Sequence, residues 1–307
     1  MNKKYTAACY ALLAAALYAI NIPLSKLLLQ QVAPTMMAAF LYLGAGIGLL
    51  LYSSIRKIAE QISDRQDRLT RADLPYTVAM VVLDILAPIL LMLGIERTTS
   101  ANVSLLNNFE IVATSLIALF IFKEIISKRL WIAIFLVTVA SMILSFEGQD
   151  AFTWNEGSLM VLGACVCWGF ENNCTKKISH RSSIEIVTIK GCFSGMGSLL
   201  IALIIGENFP AFRWIFAVLL LGFVAYGLSI HFYIRAQKDL GAARTSAYYS
   251  VAPFLGVVFG MVLLGERPGL QFYIALVIMI VATGMIVDDS CRVERGDSDR
   301  HGTGKTA

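Results

Sequence analysis

Four ionisable side chains lie deep inside long apolar segments of this chain, where they could transfer protons or bind a charged solute. They are Asp84, Glu110, Glu171 and Lys190. Placing a charged group near the centre of a lipid bilayer costs several kcal/mol, so each of them needs a partner or a function. Their spacing along the chain indicates which of them lie at the same depth.

Asp84 and Glu110 stand at equal distances on either side of a hairpin that turns near Arg97. In an antiparallel helix pair this predicts equal depth, about 20 Å of helix rise from the turn. Two carboxylates at one level in a low dielectric favour binding of a proton or a cation. Alternatively, each acid is satisfied separately, and Asn107 and Asn108 lie one turn from Glu110.

Glu171 and Lys190 flank the turn at His180-Arg181 at nearly equal spacing, which predicts an ion pair between them. Such a pair offsets the burial of both charges. It is either structural or a gate that opens when a substrate or a proton competes for one partner. Asn21 occupies the position in the first apolar segment that matches Glu171 in the sixth. We therefore expect these two segments to line a polar cavity.

Aromatic side chains could complete a binding pocket next to these polar groups. Trp168 lies one helical turn before Glu171, and Tyr248 lies in the ninth apolar segment. The alternative is that they are packing residues or belong to the interfacial aromatic belt. The predicted substrate or proton pathway thus comprises Asp84, Glu110, Asn107, Asn21, Trp168, Glu171, Lys190 and Tyr248.

The composition indicates a membrane protein that crosses the bilayer several times. Of 307 residues, 57% are hydrophobic and 15% charged, and the mean hydropathy is +0.71. A soluble domain carries roughly 25% charged residues. The sequence predicts an all-α protein of ten transmembrane helices, each about 20 residues long. They span about 6–28, 34–52, 74–95, 99–122, 129–146, 157–178, 184–206, 212–234, 243–264 and 270–287.

The basic residues indicate the orientation of the chain. Most of the 25 Lys and Arg residues fall in segments that share one side of the membrane with both termini, which is the positive-inside pattern. We therefore expect a protein of the cell membrane with cytoplasmic termini, and the net charge of +4 does not predict nucleic-acid binding. On this side, 53–73 is predicted to be an amphipathic surface helix, and 289–307 a disordered tail.

Two halves of the sequence resemble each other. The segment 18–26 aligns with 168–176, and Gly44-Ala45-Gly46 aligns with Gly195-Met196-Gly197. Each half holds five apolar segments, an odd number, so the second half must enter the membrane from the opposite side. The sequence thus predicts two inverted five-helix repeats over 1–148 and 149–288, with a site between them near the midplane. Glycines are expected to allow close helix packing at Gly44, Gly46, Gly48, Gly191, Gly195 and Gly197.

Several short motifs resemble those of the drug/metabolite transporter superfamily, EamA type, over about 6–287. They are Trp168-Gly169, the stretch from Gly241 to Ala247, Pro253, and the closing Gly265-Glu266. The resemblance implies ten helices in two repeats and transport of small metabolites or drugs, either uncoupled or driven by a proton gradient. The chain departs from the family pattern in its fourth helix. It has Glu110-Ile111 where relatives commonly have Glu-Pro.

The sequence therefore favours a transporter that works by alternating access and uses no cofactor or metal. Mixed charge in the cavity favours a zwitterion such as an amino acid or a derivative. A cationic drug exporter is the nearest alternative, and a membrane-embedded enzyme acting on lipidic substrates is the alternative from another class. Against the enzyme, the sequence contains no metal-ligand cluster and no nucleophile elbow. The expected partners are a small solute, lipid and coupling protons, in a monomer or homodimer.

Overall fold

The computed structural model describes residues 3–60, 68–97, 106, 109–145, 156–264 and 270–302, and all regular structure within them is helical. A short 3-10 helix covers Arg71–Asp73, and a π-helical segment covers Gly222–Leu228 between α9 and α10. The α-helices, in chain order, are α1 (Lys3–Ala19), α2 (Asn21–Leu28), α3 (Pro34–Glu60), α4 (Leu74–Arg97), α5 (Glu110–Phe120), α6 (Lys128–Ser145), α7 (Glu156–Ile178), α8 (Ser183–Ile204), α9 (Phe212–Leu221), α10 (Ser229–Leu240), α11 (Ala242–Tyr249), α12 (Ala252–Leu264) and α13 (Leu270–Gly302).

Four stretches of the described residues are long and apolar enough to cross a membrane without interruption. They are Pro34–Ile55, Arg71–Leu91, Ser183–Ile204 and Phe212–Leu240. Two further apolar helices, Glu110–Phe120 and Phe272–Ile286, are shorter. Helix breaks explain part of the difference from the ten predicted segments, because they divide the first segment into α1 and α2 and the ninth into α11 and α12.

The ninth apolar segment breaks where α11 ends and α12 begins. The backbone N–H of Val251 donates to the carbonyl of Tyr248, three residues earlier, at 3.3 Å. A hydrogen bond of this span belongs to a tight 3-10 turn and not to an α-helix. Pro253 follows as the second residue of α12, a position in the first helical turn that tolerates a missing N–H.

In the fourth segment, α5 begins at the matching position, although there is no proline there. The N–H of Phe109 donates to the carbonyl of Leu106 at 2.9 Å, and α5 starts at Glu110. Ile111 stands where the second half has Pro253. The turn therefore does not depend on proline, and it places the Glu110 carboxylate in the first turn of a helix. The helix macrodipole favours a negative charge at that end.

The main helix packings join the first half of the chain to the second. The packed pairs are α4 with α7, α3 with α8, α6 with α13, and α1 with α10. The α3–α8 pair crosses at Gly46 and Gly191. A Cβ atom added to Gly191 would collide with the backbone of Gly46, and one added to Gly46 would meet the backbone nitrogen of Cys192. The predicted role of these glycines in close packing is confirmed.

The segment predicted to be an amphipathic surface helix, 53–73, includes 61–67, which lie outside the described residues. Helix α3 continues through its first part to Glu60, and the 3-10 helix Arg71–Asp73 forms its end. The Asp73 carboxylate accepts a hydrogen bond from the backbone N–H of Thr70 at 2.8 Å. It also pairs with Arg181, from the α7–α8 connection, at 2.9 Å. These contacts hold the segment against the second half.

The C-terminal segment is helical where its composition predicted disorder. Helix α13 continues from the last apolar segment to Gly302, and 303–307 lie outside the described residues. The start of this extension is anchored to neighbouring helices. Asp289 pairs with Arg244 at 2.9 Å and accepts a hydrogen bond from Ser127, while Asp288 pairs with Arg129. These contacts fix the first two residues of the polar stretch against neighbouring helices.

Candidate functional site

Lys190 lies between two carboxylates in the interior of the helix bundle. Its ammonium nitrogen is 3.0 Å from Asp84 Oδ2 and 3.0 Å from Glu171 Oε1. All three residues are buried, with exposed fractions of 1% for Asp84, 3% for Glu171 and 6% for Lys190. The predicted ion pair between Glu171 and Lys190 is confirmed. The second carboxylate comes from α4, so this cluster joins the two halves of the chain.

The position of Asp84 differs from the predicted pairing of two acids. The sequence placed Asp84 and Glu110 at one depth as two acids of a shared level, and in the structure the ion-pair partner of Asp84 is Lys190. The hydroxyl of Tyr42 also donates to Asp84 Oδ1, at 3.4 Å. The reason lies in helix packing. Helix α4 packs along α7 and α8 of the second half, so its inward face meets Lys190.

Glu110 is half-buried, and its partner is an asparagine from the second half. Asn172 Nδ2 donates to Glu110 Oε1 at 3.1 Å and lies 3.3 Å from the hydroxyl of Thr114. The expected donors Asn107 and Asn108 lie outside the described residues. The sequence did not identify Asn172 as the partner. The feature of the sequence that could have identified Asn172 is its position directly after Glu171 in the same helix.

The surroundings of Glu110 are acidic and aromatic. Its charge interacts with the side chains of five nearby residues, which are Tyr18, Cys165, Glu171, Lys190 and Tyr233. No ion pair of Glu110 itself occurs among the residues that the structure describes. The acidic cluster, defined as Asp84, Glu110, Glu171 and Lys190, thus holds three carboxyl groups and one ammonium group. Such a site favours a proton or another positive charge.

Two side-chain oxygens next to the acidic cluster are buried acceptors without a donor among the described residues. They are Asn173 Oδ1 and Gln237 Oε1. The amide nitrogens of both residues already donate to backbone carbonyls, Asn173 to Thr114 at 3.0 Å and Gln237 to Asn172 at 3.0 Å. Flipping either amide would set oxygen against oxygen, so this orientation is fixed. An unsatisfied buried acceptor is costly, and a donor group brought by a ligand would remove that cost.

The other predicted residues have different surroundings. Asn21 accepts a hydrogen bond from Ser25 at 2.8 Å and is hydrogen-bonded to Tyr226. Trp168 is half-buried on α7. Tyr248 is fully buried in an apolar cluster to which α1, α5, α6 and α10 to α13 contribute. Tyr249, the next residue, contacts other aromatic rings near the acidic cluster.

Five tyrosine rings form a continuous series beside the acidic cluster, which we call the tyrosine arc. Its members are Tyr42, Tyr226, Tyr18, Tyr249 and Tyr233, in order of contact. Successive ring centroids are 5.4, 5.6, 5.5 and 5.0 Å apart. The members come from α3, the π-helical segment, α1, α11 and α10. Sequence spacing could not reveal this cluster, because no two neighbouring rings belong to the same helix.

Glu124 stabilises the start of α11 at the end of the bundle where α5 ends and α11 begins. Its carboxylate accepts a hydrogen bond from the backbone N–H of Ala242 at 3.0 Å, at the positive end of the helix macrodipole. The carboxylate reaches Ala242 because Gly241 has no side chain, and a Cβ atom there would collide with it. Glu266, its counterpart, lies outside the described residues.

Gly241→Ala should therefore destabilise the protein more than Gly206→Ala does. Both glycines have a positive φ, 87° and 82°, which disfavours any side chain, at a cost of about 1–3 kcal/mol. A Cβ atom on Gly206 meets nothing within 4 Å, whereas one on Gly241 displaces the Glu124 carboxylate. Thermal unfolding of the two purified variants in the same detergent measures the difference. Equal shifts in Tm would mean that the Glu124 cap contributes nothing.

The described residues contain no group of three or more His, Cys, Asp or Glu side chains that could hold a metal ion. The acidic cluster, the two unsatisfied amide oxygens and the tyrosine arc together form a candidate binding site for a charged or polar solute. These groups come from both halves of a helical protein with apolar spans.

The chain is similar to known proteins over most of its length. The chain matches the profile of the EamA-like transporter family twice, over residues 5–146 and 155–288. It is 23% identical to an "Uncharacterized transporter" of Methanothermobacter thermautotrophicus, over 88% of this chain and 82% of the relative. It is 25% identical to an "Uncharacterized transporter" of Clostridium kluyveri, over 97% and 96%.

A protein of known crystal structure shares the fold with a TM-score of 0.77 and 15% sequence identity, over 94% of this chain and 99% of that one. The resemblance inferred from the motifs is confirmed, and the protein crosses the membrane several times. Because the profile covers both halves of a bundle that buries charge at its centre, the chain belongs to the EamA-like transporter family.

Proposed function

We propose that this transporter is a secondary carrier of a small organic solute that bears an amino group, such as an amino acid, a derivative or another amine. The solute crosses by alternating access through the centre of the bundle, in the cell membrane. One observation carries the proposal: residues of both halves meet in a buried cluster with three carboxyl groups and one ammonium group. A site between two moving halves can open to either side in turn.

The proposed architecture is ten transmembrane helices in two inverted repeats, over 1–148 and 149–288. The double match to one family profile supports it. The helix packing also supports it, because pairing α1 with α10 and α4 with α7 is what a two-fold relation between the halves predicts. Helix breaks at Glu110 and at Ala252 occupy matching positions. The distribution of basic residues supports cytoplasmic termini.

Glu110 is the proposed binding group for the coupling proton or for the solute ammonium. It lies in the first turn of α5, whose start matches the start of α12 in the second half. Its hydrogen-bond donor is the neutral amide of Asn172. The groups that face it from neighbouring helices are Tyr18, Cys165, Glu171, Lys190 and Tyr233. Lys190 is engaged by Asp84 and Glu171, so Glu110 is available to bind a proton or an amine in turn.

Glu110→Gln should remove the pH dependence of transport and lower its rate by at least about tenfold, which corresponds to ~1.4 kcal/mol. Glutamine keeps the shape of the side chain and can still accept the hydrogen bond from Asn172, but it carries no charge and binds no proton. Uptake of a panel of radiolabelled amino acids and amines into proteoliposomes, measured across a pH series, tests this.

Glu156→Gln is the matched control, because that side chain is 85% exposed at the start of α7. It should transport like the parent protein. An unchanged rate and an unchanged pH profile for Glu110→Gln would contradict the role proposed for this residue.

A cationic drug is the second candidate solute, favoured by the excess of carboxyl groups over ammonium groups in the acidic cluster. The same uptake panel separates it from an amino acid. Lipid analysis of the proteoliposomes also separates a carrier from a membrane-embedded enzyme, because a lipid product without solute flux would support the enzyme.

A further inference from the structure

We infer that the tyrosine arc is a binding subsite for an organic ammonium, a solute that carries a positive charge next to an aryl or alkyl group. This rests on the proposed transport function and narrows its substrate class from any amine to an organic cation. Four observations support the inference. The arc exposes ring surface, the acidic cluster lies next to it, Gln237 Oε1 is an unsatisfied acceptor, and Tyr226 lies on a π-helical segment.

The arc presents ring surface and few free hydroxyl groups. The hydroxyl of Tyr42 donates to Asp84, that of Tyr233 lies 2.8 Å from Ser246, and that of Tyr249 lies 3.4 Å from Ser229. Tyr18, Tyr226 and Tyr249 are half-buried, so part of each remains accessible between buried neighbours. A ligand at these three residues would therefore mainly contact aromatic rings.

Aromatic rings next to a negative cluster select for positive charge. The electron-rich face of a tyrosine attracts a cation, and several rings around one ammonium group form an aromatic cage. Tyr42 contacts Asp84, and Tyr18 and Tyr233 are electrostatic neighbours of Glu110. The single ammonium of Lys190 cannot balance three carboxylates. An additional carboxylate on the solute would be repelled, which disfavours a zwitterion.

A buried acceptor marks one end of the arc. Gln237 is fully buried next to Tyr233, and its Oε1 has no donor among the residues described. An ammonium N–H placed between Tyr233 and Glu110 would supply that donor. The same position would bring the charge close to the carboxylate of Glu110.

The second member of the arc lies on the irregular segment Gly222–Leu228. This π-helical segment carries Tyr226, which contacts both Tyr18 and Tyr42. A π-helical turn is less stable than an α-helical one and occurs frequently at functional sites. Here the wider turn carries Tyr226, which joins Tyr42 to Tyr18 and so to the rest of the arc. The π-helical segment therefore lies at the proposed binding subsite.

Three probes with the same ring and different charge test the inference. Phenethylammonium is a cation, L-phenylalanine a zwitterion and phenylacetate an anion. We expect calorimetric titration of the parent protein in lipid nanodiscs to show phenethylammonium binding at least about tenfold more tightly than the other two, or ~1.4 kcal/mol. Equal binding of all three, tighter binding of phenylalanine, or no binding of phenethylammonium would overturn the inference.

Variants of the arc locate the binding. Tyr249→Leu and Tyr18→Leu should each weaken phenethylammonium binding about tenfold, because each removes a ring face that the cation contacts. Tyr249→Phe should restore most of the affinity lost in Tyr249→Leu, since it keeps the ring. Tyr76→Leu is the matched control, an exposed tyrosine on α4 away from the arc. If both arc variants bound phenethylammonium as Tyr76→Leu does, the binding site would lie elsewhere.

This binding experiment is independent of flux. If phenethylammonium bound through the arc but no solute crossed proteoliposomes, the subsite would stand and the carrier function would fall. If solutes crossed but the arc variants bound phenethylammonium normally, the carrier would stand and the subsite would fall.

Discussion

Replacing Lys190 with methionine is expected to unfold the protein at a markedly lower temperature and to abolish transport. The ammonium group lies 3.0 Å from both Asp84 and Glu171, and all three residues are buried. Methionine leaves two carboxylates in the interior without a counter-charge. Removing one partner from a buried ion pair costs about 3–5 kcal/mol, and here one residue serves two partners. The Tm of the purified variant measures the effect, and its size-exclusion profile shows how much of the protein is folded.

A triple variant separates the charge effect from the loss of the lysine itself. Combining Lys190→Met with Asp84→Asn and Glu171→Gln removes the unpaired charges and should recover much of the lost Tm, because a buried ion pair can be replaced by neutral groups at little cost. Transport should stay absent if the charges are part of the site. Lys128→Met, at an exposed lysine, is the control. If Lys190→Met unfolded like this control, the buried ion pairs would have no stabilising role.

Gly191→Ala is the second substitution with a large expected effect, because it separates α3 from α8. The added methyl group would collide with backbone atoms of Gly46, and backbone cannot move aside as a flexible side chain can. Overpacking a well-packed site typically costs about 1–3 kcal/mol, and a collision with backbone lies at or above the upper end. We expect low yields of folded protein and a lower Tm.

Gly284→Ala makes the same chemical change in an open environment. No atom lies within 4 Å of a Cβ added at Gly284, in α13. Alanine is favoured over glycine inside a helix by about 1 kcal/mol, so this variant should be as stable as the parent or slightly more stable. Comparable Tm values for Gly191→Ala and Gly284→Ala would show that the halves are not held together by this crossing.

Spacing along the chain predicted contacts well within one helical hairpin. Glu171 and Lys190 lie at similar distances from the turn that joins their helices, and they form the predicted ion pair. The close-packing glycines of α3 and α8 were also identified from sequence. In both cases the relevant geometry follows from helix rise and residue size, and these are properties of the local sequence.

Contacts between the two halves could not be predicted in this way. Hairpin spacing put Asp84 level with Glu110, but it could not say that Lys190, from the other half, would pair with Asp84. The same holds for the hydrogen bond from Asn172 to Glu110, and for the one from the backbone N–H of Ala242 to Glu124. Depth in the membrane follows from spacing, whereas the direction in which a side chain faces depends on how the helices rotate and pack.

The sequence alone determined that this is a helical membrane protein of a transporter family with charged groups buried in its apolar segments. Composition and helix periodicity are local quantities that suffice to predict a helical membrane protein, whereas the family was indicated by short motifs that resemble those of known transporters. Only the tertiary structure decided that one lysine serves two carboxylates and that five tyrosines from five elements form one arc. Such groupings arise from packing between distant segments, and this packing cannot be predicted from the spacing of residues along the chain.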